Sequence, residues 1–179
     1  MKTTQILIAG FGGQGILFSG KFLAYKGLLE GIQVSWLPSY GPEMRGGTAN
    51  CNVILSDSPV GSPIITVPDV LIAMNLPSLQ KYVNTVAPDG QIYIDSSLIE
   101  EKVERKDVEV FYIPATQMAK DEGIGTLANM IVVGHLLENN PELSFDGTVE
   151  VVEKLVPAKK AALKELNMKA LNLGKEYNK

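Results

Sequence analysis

The segment Gly10-Phe11-Gly12-Gly13-Gln14-Gly15 constrains the fold more than any other part of the chain. It follows a short apolar run at residues 6–9 and precedes apolar positions at helical spacing in residues 16–29. Because glycine accepts positive φ angles, a strand can turn abruptly into a helix here, and the free N–H groups at the helix start favour an anion. The sequence therefore predicts a strand, a tight turn and a helix that together bind phosphate or carboxylate. The residues predicted to contact the anion are Gly10, Gly12, Gly13, Gln14 and Gly15.

The rest of the chain alternates short apolar runs with longer helical patterns. Further strands are predicted at residues 32–36, 48–55, 70–74, 91–95 and 108–113, and further helices at residues 76–86, 126–138 and 158–173. Gly31 is placed to end the first helix, so the opening unit is predicted to be βαβ. This alternation predicts an α/β, Rossmann-like three-layer domain with a mostly parallel sheet and helices on both faces. No repeat or linker divides residues 1–179, so we expect a single domain.

Composition argues against several classes of function. The formal net charge of −4 gives no positive field for a nucleic-acid backbone. The one cysteine, Cys51, cannot form an intrachain disulfide or hold an iron–sulfur cluster by itself. No apolar run has the length of a membrane span or a signal peptide. We therefore expect a cytoplasmic protein with neither nucleic-acid nor membrane partners.

A second glycine-rich segment, residues 39–48, reads Ser-Tyr-Gly-Pro-Glu-Met-Arg-Gly-Gly-Thr and is interpreted as a functional loop at a βα-type sheet edge. The Arg45 guanidinium has a planar donor fork that suits phosphate or carboxylate, and adjacent glycines allow a ligand or partner chain to come close. The alternative is that Arg45 and Glu43 form only a surface pair, which contributes little. The predicted contact residues here are Ser39, Tyr40, Glu43, Arg45, Gly46 and Gly47.

The glycine pattern has two further interpretations. Binding of NAD or FAD, in a free-standing oxidoreductase or a regulatory nucleotide-binding module, requires an acidic residue about 20 positions on, at the end of the second strand. That residue is missing, because Glu30 comes too early and Glu43 lies inside the following loop. Alternatively, the glycines serve only the tight packing of helix against strand.

Several motifs together resemble the gamma subunit of 2-oxoacid:ferredoxin oxidoreductases, also called the gamma domain of the pyruvate/ketoisovalerate oxidoreductase family. They are Gly10 to Gly15 with Ser19-Gly20 behind them, Tyr40-Gly-Pro-Glu-Met-Arg-Gly-Gly47, and Asn129-Met130 in a late helix. The resemblance covers most of the chain. The amino-acid sequence from Pro42 to Cys51 is more similar to the 2-oxoglutarate and branched-chain members than to the pyruvate members.

The resemblance implies an enzyme complex that oxidatively decarboxylates a 2-oxoacid, passes electrons to ferredoxin or flavodoxin and forms an acyl-coenzyme A. It implies partner alpha and beta subunits, with or without a ferredoxin-like delta subunit, and places thiamine diphosphate, magnesium and iron–sulfur clusters in those partners. A gamma subunit is then expected to support the thiamine-binding subunits and to help form the coenzyme A site. Isolated, it is expected to have no catalytic activity.

Other polar residues are expected to be structural. His135 lies in an apolar helical segment without nearby metal ligands, and Cys51 is interpreted as a small buried hydrophobe. Asn75, Ser96 and Ser97 follow predicted strands and either line the crevice or cap helices, with capping favoured for Asn75 and Ser96. The charges of residues 158–179 are expected on a solvated helix face above an apolar stripe.

Overall fold

A computed structural model describes residues 3–39 and 48–178, and within these ranges the chain forms six strands and six α-helices. The strands are β1 (Thr4–Phe11), β2 (Gln33–Ser39), β3 (Thr48–Ser56), β4 (Val70–Ala73), β5 (Gln91–Asp95) and β6 (Glu109–Ile113). The helices are α1 (Ile16–Leu29), α2 (Leu76–Tyr82), α3 (Ala115–Asp121), α4 (Ala128–Asn139), α5 (Thr148–Leu155) and α6 (Ala161–Glu176), and single 3₁₀ turns occur at Val83–Thr85 and Ala158–Lys160.

The six strands form one sheet in the order β2-β3-β1-β4-β5-β6. Strands β1, β4, β5 and β6 are parallel to one another, whereas β3 runs antiparallel to both β1 and β2. Five strands therefore share one direction, and the predicted mostly parallel sheet is confirmed. The predicted opening βαβ unit is present as β1, α1 and β2. Strands β1 and β2 do share a direction, but β3 lies between them because it pairs along its length with both.

Side-chain alternation along the strands explains the three layers. Ile6 and Ile8 of β1 face a core that includes Phe22 of α1 and the apolar residues of α4. Leu7, between them, faces the opposite side and packs in a smaller core with Leu79 of α2. Because successive side chains of a strand point to opposite faces, one strand supplies both cores. Helices consequently cover both faces of the sheet, as the sequence predicts.

Helix α1 ends as its sequence predicts. Gly31 adopts a φ of 75°, its N–H donates to the Leu28 carbonyl, and the Ile32 N–H donates to the Gly27 carbonyl. This pattern is the glycine-terminated end that satisfies the last helical carbonyls.

The C-terminal third differs from the predicted boundaries. Helix α4 begins at Ala128 rather than residue 126, and α6 begins at Ala161 after the 3₁₀ turn. Helix α5 was not predicted, because its eight residues give too short a window for a helical period to stand out. Among the described residues, none of the helices combines the length and the apolar character that crossing a membrane requires.

Candidate anion-binding site

The glycine turn, residues 10–15, joins the end of β1 to the start of α1. The Gln14 N–H donates to the Phe11 carbonyl at 3.2 Å, and Gly13 and Gly15 adopt φ angles of 92° and 75°. Helix α1 has neither a side-chain cap nor an acidic residue in its first turn. Its N-terminal N–H groups and dipole are therefore not neutralised by the helix itself, which favours a negatively charged ligand.

The Gln14 side chain folds back onto the glycine turn and the end of β4. Its Oε1 accepts a hydrogen bond from the Phe11 N–H at 2.7 Å, and its Nε2 donates to the Met74 carbonyl at 2.8 Å. Gln14 thus fastens the turn to the end of β4. Within the described residues, no hydrogen bond engages the N–H of Gly12 or Gly13. These two groups and the first turn of α1 are the donors that an anion could meet.

Packing accounts for two of the four glycines in the turn. A Cβ atom on Gly10 would lie 2.7 Å from Ile16 Cδ1 and 2.9 Å from Met74 Cβ, and one on Gly15 would lie 2.6 Å from Asn129 Cγ. A Cβ on Gly13 would instead meet open space. The alternative interpretation, tight packing of helix on strand, therefore explains Gly10 and Gly15, whereas Gly13 is explained only by its backbone angle.

A cleft of about 220 Å³ opens beside the turn, at the carboxyl ends of β1 and β4. One wall is formed by the glycine turn and the other by the loop that precedes α4. Helix α4, like α1, begins without a side-chain cap or an acidic residue in its first turn. The residues that line this cleft include Gly13, Gln14, Met74, Leu98, Thr116 and Thr126. Open α/β sheets bind ligands at this edge.

The two walls of the cleft are joined by Asn129, which the sequence analysis did not select as a site residue. Its Nδ2 donates to the Gly15 carbonyl at 3.1 Å and to Ser19 Oγ at 2.9 Å. Asn129 is the second residue of α4 and is buried. The signal available in the sequence was an amide side chain within an otherwise apolar helical run.

The second predicted segment lies mostly outside the described residues. These undescribed residues include Tyr40, Glu43, Arg45, Gly46 and Gly47. The flanking positions are described: Ser39 pairs with Asn50, and Thr48 pairs with Phe11. The segment therefore leaves and re-enters the sheet at the edge where the glycine turn lies. It joins the antiparallel strands β2 and β3, and this edge is also the one at which β1 passes into α1.

Polar side chains at the ends of β4 and β5 accept hydrogen bonds from the first N–H groups of α2 and α3. Asn75 Oδ1 accepts a hydrogen bond from the Ser78 N–H at 2.9 Å at the start of α2. The capping interpretation is therefore confirmed for Asn75. It was wrong for Ser96, because among the described residues the first N–H groups of α3 donate to Asp95 and Ser97 instead. At the start of α3, the Thr116 N–H donates to the buried carboxylate of Asp95, and the Gln117 N–H donates to Ser97 Oγ.

His135 and Cys51 are both buried in the larger core. Burial lowers the pKa of His135, opposed by the Gly174 carbonyl, which lies 3.1 Å from Nδ1, and by the charge of Glu138. Burial raises the pKa of the Cys51 thiol to about 12, opposed by a hydrogen bond with Trp36. A thiol held in its neutral form is a poor nucleophile, which agrees with a packing role. No group of three or more potential metal ligands occurs in residues 3–39 and 48–178.

A comparison with known protein families assigns this chain to one of them. Residues 5–177 match the family described as pyruvate ferredoxin/flavodoxin oxidoreductase. The chain belongs to this family. Among the relatives in this family, the 2-oxoglutarate synthase subunit KorC of Methanothermobacter marburgensis is 33% identical, over 96% of this chain and 95% of its own. The ketoisovalerate oxidoreductase subunit VorA of Methanothermobacter thermautotrophicus is 37% identical over 97% of this chain, which spans only 36% of that protein.

Solved structures of family members have the same fold. The keto/oxoacid ferredoxin oxidoreductase gamma subunit of Geobacter sulfurreducens is 30% identical with a TM-score of 0.81, covering 97% of this chain and 96% of its own. The 2-oxoglutarate:ferredoxin oxidoreductase of Magnetococcus marinus, solved with 2-oxoglutarate, coenzyme A and succinyl-CoA bound, is 27% identical with a TM-score of 0.86. It covers 98% of this chain and 31% of its own. The resemblance to the gamma domain of this family, drawn from the sequence motifs, is confirmed, as is the α/β fold class.

Proposed function

We propose that this chain is the gamma subunit of a 2-oxoacid:ferredoxin oxidoreductase and that it contributes to the coenzyme A site of that complex. The observation that carries the proposal is similarity to two gamma-type subunits, KorC and the Geobacter gamma subunit. In both comparisons the alignment covers at least 95% of this chain and of the relative. In the longer VorA chain, the same unit corresponds to about a third of the protein. We propose that the complex works in the cytoplasm and that alpha and beta subunits, with or without a delta subunit, complete it.

The proposed 2-oxoacid is 2-oxoglutarate, with formation of succinyl-CoA. KorC subunits from four organisms are 30–33% identical to this chain, which favours the 2-oxoglutarate type. A branched-chain 2-oxoacid is the second candidate, because the VorA relative is also similar in sequence. Initial rates of the purified complex with the two 2-oxoacids at equal concentration distinguish them. We expect kcat/KM to be higher for 2-oxoglutarate, and a preference for 2-oxoisovalerate reverses the assignment.

Coenzyme A fits the chemistry of the glycine turn. The N–H groups of Gly12 and Gly13, which no described residue engages, and the uncapped start of α1 suit a diphosphate. The adjacent cleft is lined in part by the apolar residues Met74 and Leu98. We propose that Arg45 adds a guanidinium contact to the same phosphates. Thiamine diphosphate, held with magnesium by the partner subunits, supplies the carbanion chemistry when bound, and iron–sulfur clusters in the partners take the electrons.

Titration calorimetry tests the coenzyme A contact directly. We expect the isolated chain to bind coenzyme A weakly and Arg45→Ala to abolish measurable binding, since a lost charge-assisted contact costs about 1.5–3 kcal/mol. The control is Lys169→Ala, which removes the same charge from an exposed position on α6. Unchanged affinity in Arg45→Ala contradicts the proposed role of Arg45.

Purification from the native source tests the subunit assignment. We expect the chain to copurify with thiamine-binding and iron–sulfur subunits. The alternative, a free-standing NAD-binding oxidoreductase or a regulatory nucleotide-binding module, predicts nucleotide binding by the chain alone. The strand order weighs against that alternative, because the dinucleotide fold places its second strand beside the first, whereas here β3 separates β1 from β2.

A further inference from the structure

Asn129 connects the two walls of the cleft through one side-chain amide group. Its Nδ2 donates to the Gly15 carbonyl and to Ser19 Oγ, bridging positions 114 and 110 residues apart in sequence. In the described residues, no other hydrogen bond joins the glycine turn or the first turn of α1 to the loop before α4 or the start of α4. The relative placement of the two walls therefore depends on this amide in addition to apolar packing.

Asn129 packs tightly against Gly15 at the start of α1. The Gly15 carbonyl already accepts the Ser19 N–H at 3.0 Å, so Asn129 reinforces the residue at which the turn becomes helix α1. Gly15 has a φ of 75°, and a Cβ atom there would lie within 2.8 Å of three Asn129 side-chain atoms. Asn129 Oδ1 is buried and has no hydrogen-bond partner among residues 3–39 and 48–178. The donor side of the amide, and not its acceptor side, is the part that the fold uses.

We infer that Asn129 is a positioning residue for the phosphate-binding turn. By holding the Gly15 carbonyl and Ser19, it sets the start of α1, and therefore the direction of the N–H groups that follow Gly13, relative to the start of α4. This inference rests on the proposed function, since it assigns Asn129 to the coenzyme A site. Asn129 itself is buried beneath the turn and has no proposed contact with the ligand.

The experiment uses the co-expressed complex with Asn129→Leu, Ser19→Ala and, as a control, Asn167→Leu. Asn167 is another buried asparagine with an unpartnered Oδ1, but its Nδ2 donates to Leu163 O within α6. It therefore reports what loss of a buried amide does to stability alone. Removing only the hydroxyl at Ser19 leaves the shape of the contact nearly unchanged.

We expect Asn129→Leu to raise the KM for coenzyme A about tenfold while kcat at saturating coenzyme A stays within about twofold, because the lost hydrogen bonds act on binding. Ser19→Ala is expected to shift the same KM about threefold. Hydrogen exchange in the peptide covering residues 12–19 should accelerate in Asn129→Leu. Asn167→Leu should change neither the KM nor the exchange of that peptide.

Arg45→Ala, measured in parallel, separates the two ways in which the result can fail. If Arg45→Ala raises the KM for coenzyme A and Asn129→Leu does not, the positioning role is overturned and the proposed site stands. If neither variant changes the KM, the proposed coenzyme A site is overturned, and the inference fails with it. An equal rise in KM in Asn167→Leu overturns the inference by showing a general loss of stability. Should Asn129→Leu not assemble, Ser19→Ala decides by the same outcomes.

Discussion

At the scale of single residues, Gly13 and Gly15 have similar backbone angles but different surroundings. Both have positive φ, which disfavours a residue with a side chain by about 1–2 kcal/mol. Only Gly15 faces another side chain at the position where a Cβ would be, because Asn129 fills that space. The two glycines therefore separate the effect of backbone strain from the effect of crowding.

We expect Gly13→Ala to lower the free energy of unfolding by about 1–2 kcal/mol, and Gly15→Ala to lower it by about 2–5 kcal/mol, since overpacking adds to the strain. Urea denaturation of the two variants measures the difference. Asn129→Ala provides the control, because in its background Gly15→Ala should cost no more than Gly13→Ala. Equal losses for the two single variants would show that Asn129 can move aside.

The single histidine of the chain predicts a pH dependence of stability. Burial lowers the pKa of His135, so the folded chain binds a proton less readily than the unfolded chain, whose histidine has the ordinary value of about 6.5. Neutral His135 therefore lets the folded chain keep its full free energy of unfolding above pH 6.5, and that free energy decreases as the pH falls below this value. We expect the free energy of unfolding to decrease from pH 7 to pH 5.5 in the wild type and to vary less in His135→Gln, measured by urea denaturation. Parallel curves for the two proteins contradict this.

At the scale of elements, α4 and α6 cross so closely that their glycines contact the opposite backbone. A Cβ on Gly134 of α4 would lie 2.8 Å from the carbonyl carbon of Leu171 in α6, and closer still to its oxygen. Alanine has the higher helix propensity, by about 1 kcal/mol, but crowding at this crossing opposes that gain. We expect Gly134→Ala to lower the free energy of unfolding by about 1–3 kcal/mol.

Gly125 is the matched control for this helix crossing. It lies in the loop before α4, has open space at its Cβ position and has no positive φ. Gly125→Ala should therefore be neutral or raise the free energy of unfolding by up to about 1 kcal/mol. Thermal unfolding of both variants tests the contrast, and a neutral Gly134→Ala would mean that the helices separate at little cost.

The same scale shows what the sequence could and could not predict. Strand positions and helix α1 follow from apolar periodicity and from Gly31, which are local signals. The insertion of β3 between β1 and β2 depends on strand pairing, for which a local period carries no information. The glycine turn was predicted, but the folding back of Gln14 and the contact of Asn129 with Gly15 were not, because both depend on residues brought together only by the fold.

At the scale of the whole molecule, the exposed apolar residues bear on assembly. Leu28 and Leu29, at the end of α1, are 57% and 54% exposed. Leu29 also lines a groove of about 370 Å³ together with Gly147 and Val151 of the α5 region. Adjacent exposed leucines beside a groove form an apolar surface patch, and such patches commonly contact other chains.

We therefore expect the isolated chain to self-associate, and Leu28→Ser with Leu29→Ser to shift it toward the monomer in size-exclusion chromatography. Ile64→Ser is the control, since Ile64 is also exposed but does not line this groove. Co-expression with the partner subunits should remove self-association in the wild type, because each chain is then held in the complex. If the isolated wild-type chain elutes as a monomer at all concentrations, these leucines do not drive association. If Ile64→Ser has the same effect as the leucine substitutions, self-association reflects general surface hydrophobicity.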